Sequence, residues 1–296
     1  MIVYDNKQWW NILFCIRGTV VSRVVWRVGF FSLLTAGIWA WETLAVPLPS
    51  LGPLGHSLLG VALGMLIVLR TNASYDRWWE GRKLWASLLN TGRNLVRSAA
   101  ANAGAVKDLA DLVSAYALTL KLHLRKDTDF TVLKGRMSAE MYARVTESPD
   151  PPAAVAFFIT RWIKQAQADG RIDGGLARQF DARVNELIDY QGGCDRIQQT
   201  PIPFAYAAHI KQLLMMYLAT LPLLLVQKMG GMALFVVPAI TFGLIGVEEA
   251  GIEIEDPFGD DPNDLPLDEL CADLDRDLAE FVAMGEEPGD AGGIAA

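Results

Sequence analysis

The chain has 296 residues, 52% of them apolar, and a net charge of −8 from 34 acidic and 26 basic residues. This composition argues against a disordered chain and against a nucleic-acid-binding protein, which needs a basic face for phosphate groups. Three cysteines, Cys15, Cys194 and Cys271, are too few and too scattered for a disulfide framework or a CxxC metal site.

Four apolar stretches predict four membrane helices. In chain order they cover residues 28–41, 51–69, 213–226 and 229–247. The first stretch continues through 44–49 and is interrupted only by the charge of Glu42, and the third extends backwards to residue 203. The second and the fourth hold 19 residues each without a formal charge. That length crosses a hydrocarbon core of about 30 Å at about 1.5 Å per residue.

Basic residues collect on one side of these helices. The link between the first two (42–56) has no Lys or Arg, and the link between the last two has only Lys228. The opposite side carries Arg17, Arg23, Arg27, Arg70, Arg77, Arg82 and Lys83. Because basic segments stay in the cytoplasm, we predict that both termini and the long middle of the chain are cytoplasmic.

Residues 80–200, between the second and third membrane helices, show helical periodicity and almost no strand signal. Pro151 and Pro152 interrupt the pattern, which resumes over 153–167 and 176–190. We therefore predict an all-α membrane protein whose middle forms a helical cytoplasmic bundle.

The last segment, 251–296, holds 15 acidic residues and a single basic one, Arg276. Its pattern predicts a short helix over 273–284 and a disordered tail over 285–296. The chain then divides into an N-terminal segment with two membrane helices (1–79), the cytoplasmic region (80–200), two further membrane helices (201–250) and this acidic segment (251–296).

Reaction chemistry is missing from the sequence. It has no nucleophile elbow, no phosphate-binding loop and no paired metal-binding histidines. We therefore predict that the protein is not an enzyme and requires no cofactor. Four membrane helices favour transport or conduction, and so few helices per chain indicate a pore on the symmetry axis of a homo-oligomer.

The second membrane helix is the candidate pore lining. Val61, Met65 and Leu69 recur every four residues, and the same stripe begins one turn earlier with the polar Ser57. In a ring of subunits they would form apolar collars, where an ion sheds water that nothing polar replaces. Periodicity alone favours the alternative, in which the stripe faces lipid or packs against another helix.

Three motifs carry a resemblance to a known family. They are RTNASYDRWWEGRKLW at 70–85, which contains Arg77, Trp78 and Trp79, PIPFAY at 201–206, and DPFGDD at 256–261 followed by Asn263 and Asp264. Their order around four apolar stretches resembles the bestrophin family in its bacterial branch, over nearly the whole chain except the tail. The resemblance implies a homopentameric ion channel of the bacterial inner membrane, with four membrane helices per subunit and a single axial pore.

The resemblance also implies positions for site residues. The neck of the pore corresponds to Val61, Met65 and Leu69. A second, cytoplasmic aperture corresponds to Leu176, with Gly175 as the alternative. Arg77, Trp78 and Trp79 correspond to a structural motif at the membrane–cytosol boundary.

A calcium ion is bound by the acidic segment in calcium-gated members of the family. The similar positions here are Glu253, Asp256, Asp261 and Asp264. Carboxylates suit a hard cation that takes six to eight oxygen ligands. Pro262 and Asn263 replace an acidic run, however, and the alternative is an acidic turn that ends the helix without an ion.

The sequence does not determine whether the channel conducts anions or cations. The family's animal members conduct chloride and other anions, whereas the negative net charge and the acidic inner segment favour cations. The neck also lacks the aromatic rings of its animal relatives, whose electropositive edges could favour anions. For either kind of ion, the predicted partners are membrane lipid, permeant inorganic ions and the other subunits of the oligomer. No nucleic acid is expected to bind. The alternatives are a pathway for small carboxylates and a non-conducting membrane scaffold or regulatory protein whose cytoplasmic bundle binds another protein.

Overall fold

The structure is a computed structural model that describes residues 5, 7, 9–44 and 52–286. The described residues form helices and turns, with one isolated bridge between Lys134 and Met137 and no strand among them. The expectation of an all-helical chain is therefore confirmed for this part of the protein.

The chain separates into two compact units. The first unit consists of Met1–Trp79, Pro201–Pro257 and Asp261–Asp264, and the second unit consists of Glu80–Thr200, Phe258–Asp260 and Leu265–Ala296. The helices are, in chain order, α1 (Trp9–Leu13), α2 (Val21–Leu44), α3 (Pro53–Ala103), α4 (Lys107–Arg125), α5 (Ala139–Thr146), α6 (Pro151–Ala168), α7 (Gly174–Gln199), α8 (Phe204–Met229), α9 (Ala233–Glu253) and α10 (Leu267–Glu286).

Three helical ranges in the described residues are long and apolar enough to cross a membrane. They are Val21–Leu44, Pro53–Ala103 and Phe204–Glu253. The third range contains both α8 and α9, which are separated by a short 3₁₀ turn at Gly230–Met232. The structure thus confirms apolar membrane-spanning ranges, and it has three of them where the sequence predicts four helices.

In the first unit, α2 packs against α8 and α9, and α8 packs against α9. The helices enclose a small core that includes Phe31, Leu63, Leu218 and Val237. Gly60 of α3 lies directly beneath the ring of Tyr217 in α8, because a Cβ at this position would lie 2.9 Å from the tyrosine hydroxyl oxygen. The glycine therefore leaves room for the tyrosine ring against the backbone of α3.

In the second unit, most residues of α4 are buried, and α6, α7 and α10 pack around this helix. The phenol of Tyr116 in α4 donates to the carbonyl of Leu187 over 2.8 Å, and its oxygen also lies 3.1 Å from the side-chain oxygen of Gln191. Gln191 in turn donates to the carboxylate of Asp150 over 2.9 Å. These contacts satisfy polar groups that would destabilise the core if they were buried alone.

Several helix boundaries differ from the sequence prediction. The helical pattern is interrupted between α5 and α6, as predicted, but α6 begins at Pro151 and not at 153. Proline fits the first helical turn because the backbone N–H groups there have no partner within the helix, and Asp150 caps this turn by accepting from the amide of Ala153. The C-terminal helix α10 is longer than predicted and includes Gly285 and Glu286. The rest of the predicted tail, 287–296, lies outside the described residues.

The three cysteines lie in different surroundings. Cys15 is exposed in the first unit, whereas Cys194 in α7 and Cys271 in α10 are buried. Burial raises the pKa of both the Cys194 and the Cys271 thiols, because a thiolate loses its hydration in the protein interior. Both buried thiols therefore stay protonated near neutral pH.

Adjacent glycines in α7 provide a test of the packing in the second unit. A Cβ at Gly193 would lie 2.8 Å from the Leu84 side chain, whereas one at Gly192 has no atom within 4 Å. We expect Gly193→Val to lower the free energy of unfolding by about 1–3 kcal/mol, since it overfills a packed contact. Gly192→Val is the matched control and should change it by less than about 0.5 kcal/mol in thermal unfolding of the purified protein. Equal effects of the two substitutions would contradict this packing.

Candidate functional site

The predicted neck residues share one face of α3. Val61, Met65 and Leu69 are 74%, 65% and 48% exposed, respectively, in the single chain. Leu63 and Ile67, on the other side of the helix, are buried against the core of the first unit. The stripe is therefore an apolar surface left uncovered by its own subunit, and its assignment to a pore stays a prediction.

Buried ion pairs lie directly after this stripe. Arg70, the residue after Leu69, donates to the carboxylate of Glu248 over 2.6 Å, and both side chains are almost completely buried. Arg27 of α2 donates to Glu249 over 2.6 Å. Charges withdrawn from water need close partners, so these pairs join α2 and α3 to the carboxyl-terminal part of α9.

The motif of Arg77, Trp78 and Trp79 contacts the segment that follows α9. The Nε atom of Arg77 donates to the backbone carbonyl of Glu255 over 3.1 Å, and the indole N–H of Trp78 donates to the backbone carbonyl of Asn263 over 3.2 Å. The rings of Trp78 and Trp79 stack with their centroids 6.5 Å apart. Arg77 and Trp78 thus bind the backbone of the acidic segment, while the place of the motif at the membrane–cytosol boundary stays a prediction.

The acidic segment is held by a cation and an amide of the protein itself. Arg23 of α2 lies 2.8 Å from a carboxylate oxygen of Asp261 and 3.8 Å from one of Glu253. The side-chain amide of Asn263 donates to Glu253 over 2.7 Å.

Asp264 is the most enclosed acid of this segment. One of its carboxylate oxygens accepts from the backbone amide of Asp261 over 2.7 Å, and the other is buried without a partner. The pKa of Asp264 is raised to about 7, mainly by burial and in part by the neighbouring carboxylates of Asp261, Asp256 and Glu253, while the hydrogen bond from Asp261 acts to lower it.

The predicted ligands of a calcium ion are the carboxylates of Glu253, Asp256, Asp261 and Asp264. Among the residues that the structure describes, no group of three or more His, Cys, Asp and Glu side chains is arranged to hold a metal. The guanidinium of Arg23 already lies against two of the four carboxylates, at 2.8 Å from Asp261 and 3.8 Å from Glu253. Calcium binding stays a prediction, and the function proposed below does not use it.

The predicted aperture residues lie in the first turn of α7. Asp173 caps this turn by accepting from the backbone amide of Leu176 over 2.7 Å. Gly175 is exposed and Leu176 is half-buried. Beside them, a cavity of about 230 Å³ has two exposed cations, Lys164 and Arg178, and one acid in its lining.

Sequence reasoning missed the roles of Arg23, Arg27 and Lys211. Arg27 pairs with Glu249, and the amine of Lys211 lies 4.0 Å from Glu248. The signal in the sequence was a charge inside an otherwise apolar stretch, since such charges face protein partners or water and seldom face lipid. Which charge pairs with which depends on contacts between different helices, such as that between Arg27 and Glu249, and local periodicity does not report them.

Known proteins are similar to this chain along nearly its whole length. The family model described as Bacterial/Fungal Bestrophin protein matches residues 1–280. A voltage-dependent anion channel-forming protein of Nostoc sp. is 36% identical over 287 residues, which is 94% of this chain and 93% of the relative. A protein of the same description from Ralstonia nicotianae is 31% identical over 297 residues, 97% of each chain.

Solved structures resemble the chain as well. The crystal structure of a bacterial bestrophin homologue from Klebsiella pneumoniae matches with a TM-score of 0.82 and 28% identity. The match covers 88% of this chain and 98% of that one.

Removing one buried charge tests the ion pair between Arg70 and Glu248. We expect Glu248→Leu to lower the free energy of unfolding by about 3 kcal/mol, because the buried Arg70 loses its 2.6 Å partner and keeps only the 3.4 Å contact with Glu255. The double variant Arg70→Met with Glu248→Leu should recover most of this loss in thermal unfolding of the purified protein, because both charges are then gone.

The matched control removes one partner of an exposed ion pair. Lys83 pairs with Glu80 near solvent, so Lys83→Met should cost less than about 1 kcal/mol. A double variant no more stable than Glu248→Leu alone would contradict the pairing.

Proposed function

Because the chain belongs to the bacterial and fungal bestrophin family, we propose that it is a homopentameric anion channel of the bacterial inner membrane. It carries small monovalent anions, chloride first, through a single axial pore, with both termini in the cytoplasm. The observation that carries the proposal is the uncovered apolar stripe of Val61, Met65 and Leu69, in a chain similar along nearly its whole length to proteins named as anion channel-forming.

Four membrane crossings per subunit are supported by the lengths of the helices. The range Phe204–Glu253 holds two helices, α8 of 26 residues and α9 of 21. At about 1.5 Å per residue, each is long enough for a core of about 30 Å. Together with α2 and the apolar start of α3, they support four crossings, and the basic residues at one end favour a cytoplasmic position for that end.

The proposed mechanism is passive conduction through an apolar constriction. Five copies of α3 around one axis turn the stripe into three collars, formed by the rings of Val61, Met65 and Leu69. An ion that enters the collars loses water molecules without gaining polar ligands, so this stretch sets the barrier to conduction. No bond is made or broken, and neither an enzyme reaction nor a cofactor is involved.

The sign of the permeant ion is not set by the collars, because their side chains carry no charge. A contribution to anion preference is expected from the cations beside the aperture. Lys164 and Arg178 are exposed at the cavity next to Leu176, with Asp181 opposing them in the same lining. A surplus of positive charge at a narrow mouth raises the local anion concentration.

Reversal potentials test the proposed selectivity. Purified protein in a planar bilayer with asymmetric potassium chloride should give currents whose reversal potential lies between zero and the equilibrium potential of chloride. Lys164→Glu with Arg178→Glu should move the reversal potential towards that of potassium, whereas Lys107→Glu, at another exposed lysine of the second unit, serves as the matched control and should not. A reversal on the potassium side overturns anion conduction, and the absence of any current in bilayers and liposomes favours the scaffold alternative.

Shortening the collars tests the neck. We expect the triple variant Val61→Ala, Met65→Ala, Leu69→Ala to raise the single-channel conductance about twofold or more, because a wider constriction holds more water. The control is Phe30→Ala with Leu33→Ala, which removes exposed apolar groups from α2 and should leave the conductance unchanged. An unchanged current in the triple variant would exclude these residues from the neck.

A further inference from the structure

A cleft with a charged end and an apolar floor opens in the first unit. Its volume is about 190 Å³, and α2, α8 and α9 supply its walls. The lining residues are Arg27, Lys211, Leu214, Met215, Ile245 and Glu248. Neither the neck nor the aperture uses this cleft.

Within the described part of the chain, one of the two cations of the cleft, Lys211, has no acid within hydrogen-bond distance. Glu249 already accepts a 2.6 Å hydrogen bond from Arg27, and Glu248 accepts one of 2.6 Å from Arg70. The amine of Lys211 lies 4.0 Å from Glu248, which is too far for a hydrogen bond. Its side chain is 56% exposed, so its positive charge is available to a ligand.

The guanidinium of Arg27 is available as well. Its bond to Glu249 uses the Nη1 atom, and the side chain remains one-third exposed. A guanidinium has five N–H donors in a fork that matches phosphate oxygens. Arg27 and Lys211 therefore offer donors from two helices at the same end of the cleft.

The floor of the cleft suits a hydrocarbon chain. Leu214 and Ile245 are buried beneath it, and Met215 is half exposed beside it. Methionine is unbranched and flexible, so it adapts to an irregular apolar partner. The walls belong to helices that are long and apolar enough to cross a membrane.

The surroundings place the charged end at the level of lipid headgroups. Trp26, the neighbour of Arg27 in sequence, is 68% exposed, and the guanidinium of Arg27 lies 5.3 Å from its ring centroid. Tryptophan is enriched at the boundary between membrane and water, and lysine extends its amine towards that boundary. These residue types favour a position of the basic end at the headgroups and of the apolar floor at the acyl chains.

We propose that this cleft binds an anionic phospholipid. The phosphate group lies against Lys211 and Arg27, and the start of an acyl chain lies along Met215, Leu214 and Ile245. In the orientation given by the basic residues, the lipid belongs to the cytoplasmic leaflet, whose anionic headgroups attract such side chains. The proposal depends on membrane insertion and not on conduction, so it stands or falls separately from the channel function.

Native mass spectrometry of the purified full-length protein tests the site. Protein titrated with phosphatidylglycerol should retain this lipid, whereas phosphatidylcholine should bind more weakly because its choline opposes the cationic end. Lys211→Gln should raise the Kd for phosphatidylglycerol about fivefold, the change expected for one basic residue near an anionic lipid surface. Met215→Trp, which fills the cleft without changing its charge, should weaken binding to a similar degree.

Lys228→Gln is the matched control, because Lys228 is also exposed on α8 but lies near its opposite end. It should leave the affinity for phosphatidylglycerol unchanged. The proposal is overturned if Lys211→Gln and Met215→Trp both bind this lipid like the unaltered protein. Full displacement of the lipid by an equal concentration of inorganic phosphate overturns it in favour of a free anion. If Lys211→Gln and Met215→Trp change the mass of the oligomer but retain the lipid like the unaltered protein, the proposal is overturned, and the cleft is instead covered by a second copy of the chain.

Discussion

The pairing of buried acids on α9 with arginines on α2 and α3 determines where the helices of the first unit meet. In lipid, apolar side chains gain little by leaving one hydrocarbon environment for another, so packing and polar contacts position the helices. Glu248 and Glu249 are expensive to bury, and each is stabilised only in an arrangement that brings Arg70 or Arg27 within hydrogen-bond distance. Since Arg70 directly follows Leu69, the same contact also fixes the end of the exposed stripe on α3.

The acidic segment after α9 depends on a second set of contacts of this kind. Arg23 lies against Asp261 and Glu253, while the indole of Trp78 holds the backbone at Asn263. Two of the four carboxylates that resemble a metal site in sequence, those of Glu253 and Asp261, thus lie against the protein's own Arg23. The proposed channel accordingly rests on the apolar stripe and on the family, and an ion at this segment adds nothing to it.

Much of the helical architecture was predictable, because a period of 3.6 residues is visible in any amphipathic helix. The common face of Val61, Met65 and Leu69 follows from their spacing alone. The start of α6 at Pro151 did not follow, since proline also ends helices and only the capping contact of Asp150 distinguishes the two cases. The ion pairs and the lipid cleft were beyond sequence reasoning, because they depend on which turns of distant helices lie at the same depth.

The burial of two of the three cysteines makes the natural sequence suitable for site-specific labelling. Cys194 and Cys271 are enclosed and stay protonated, whereas Cys15 is accessible next to the short helix α1. A maleimide fluorophore therefore reacts at one position per subunit without any engineered residue. Such a dye sits two residues before Arg17, near the start of α2, and its emission would report on the water content around the amino-terminal segment.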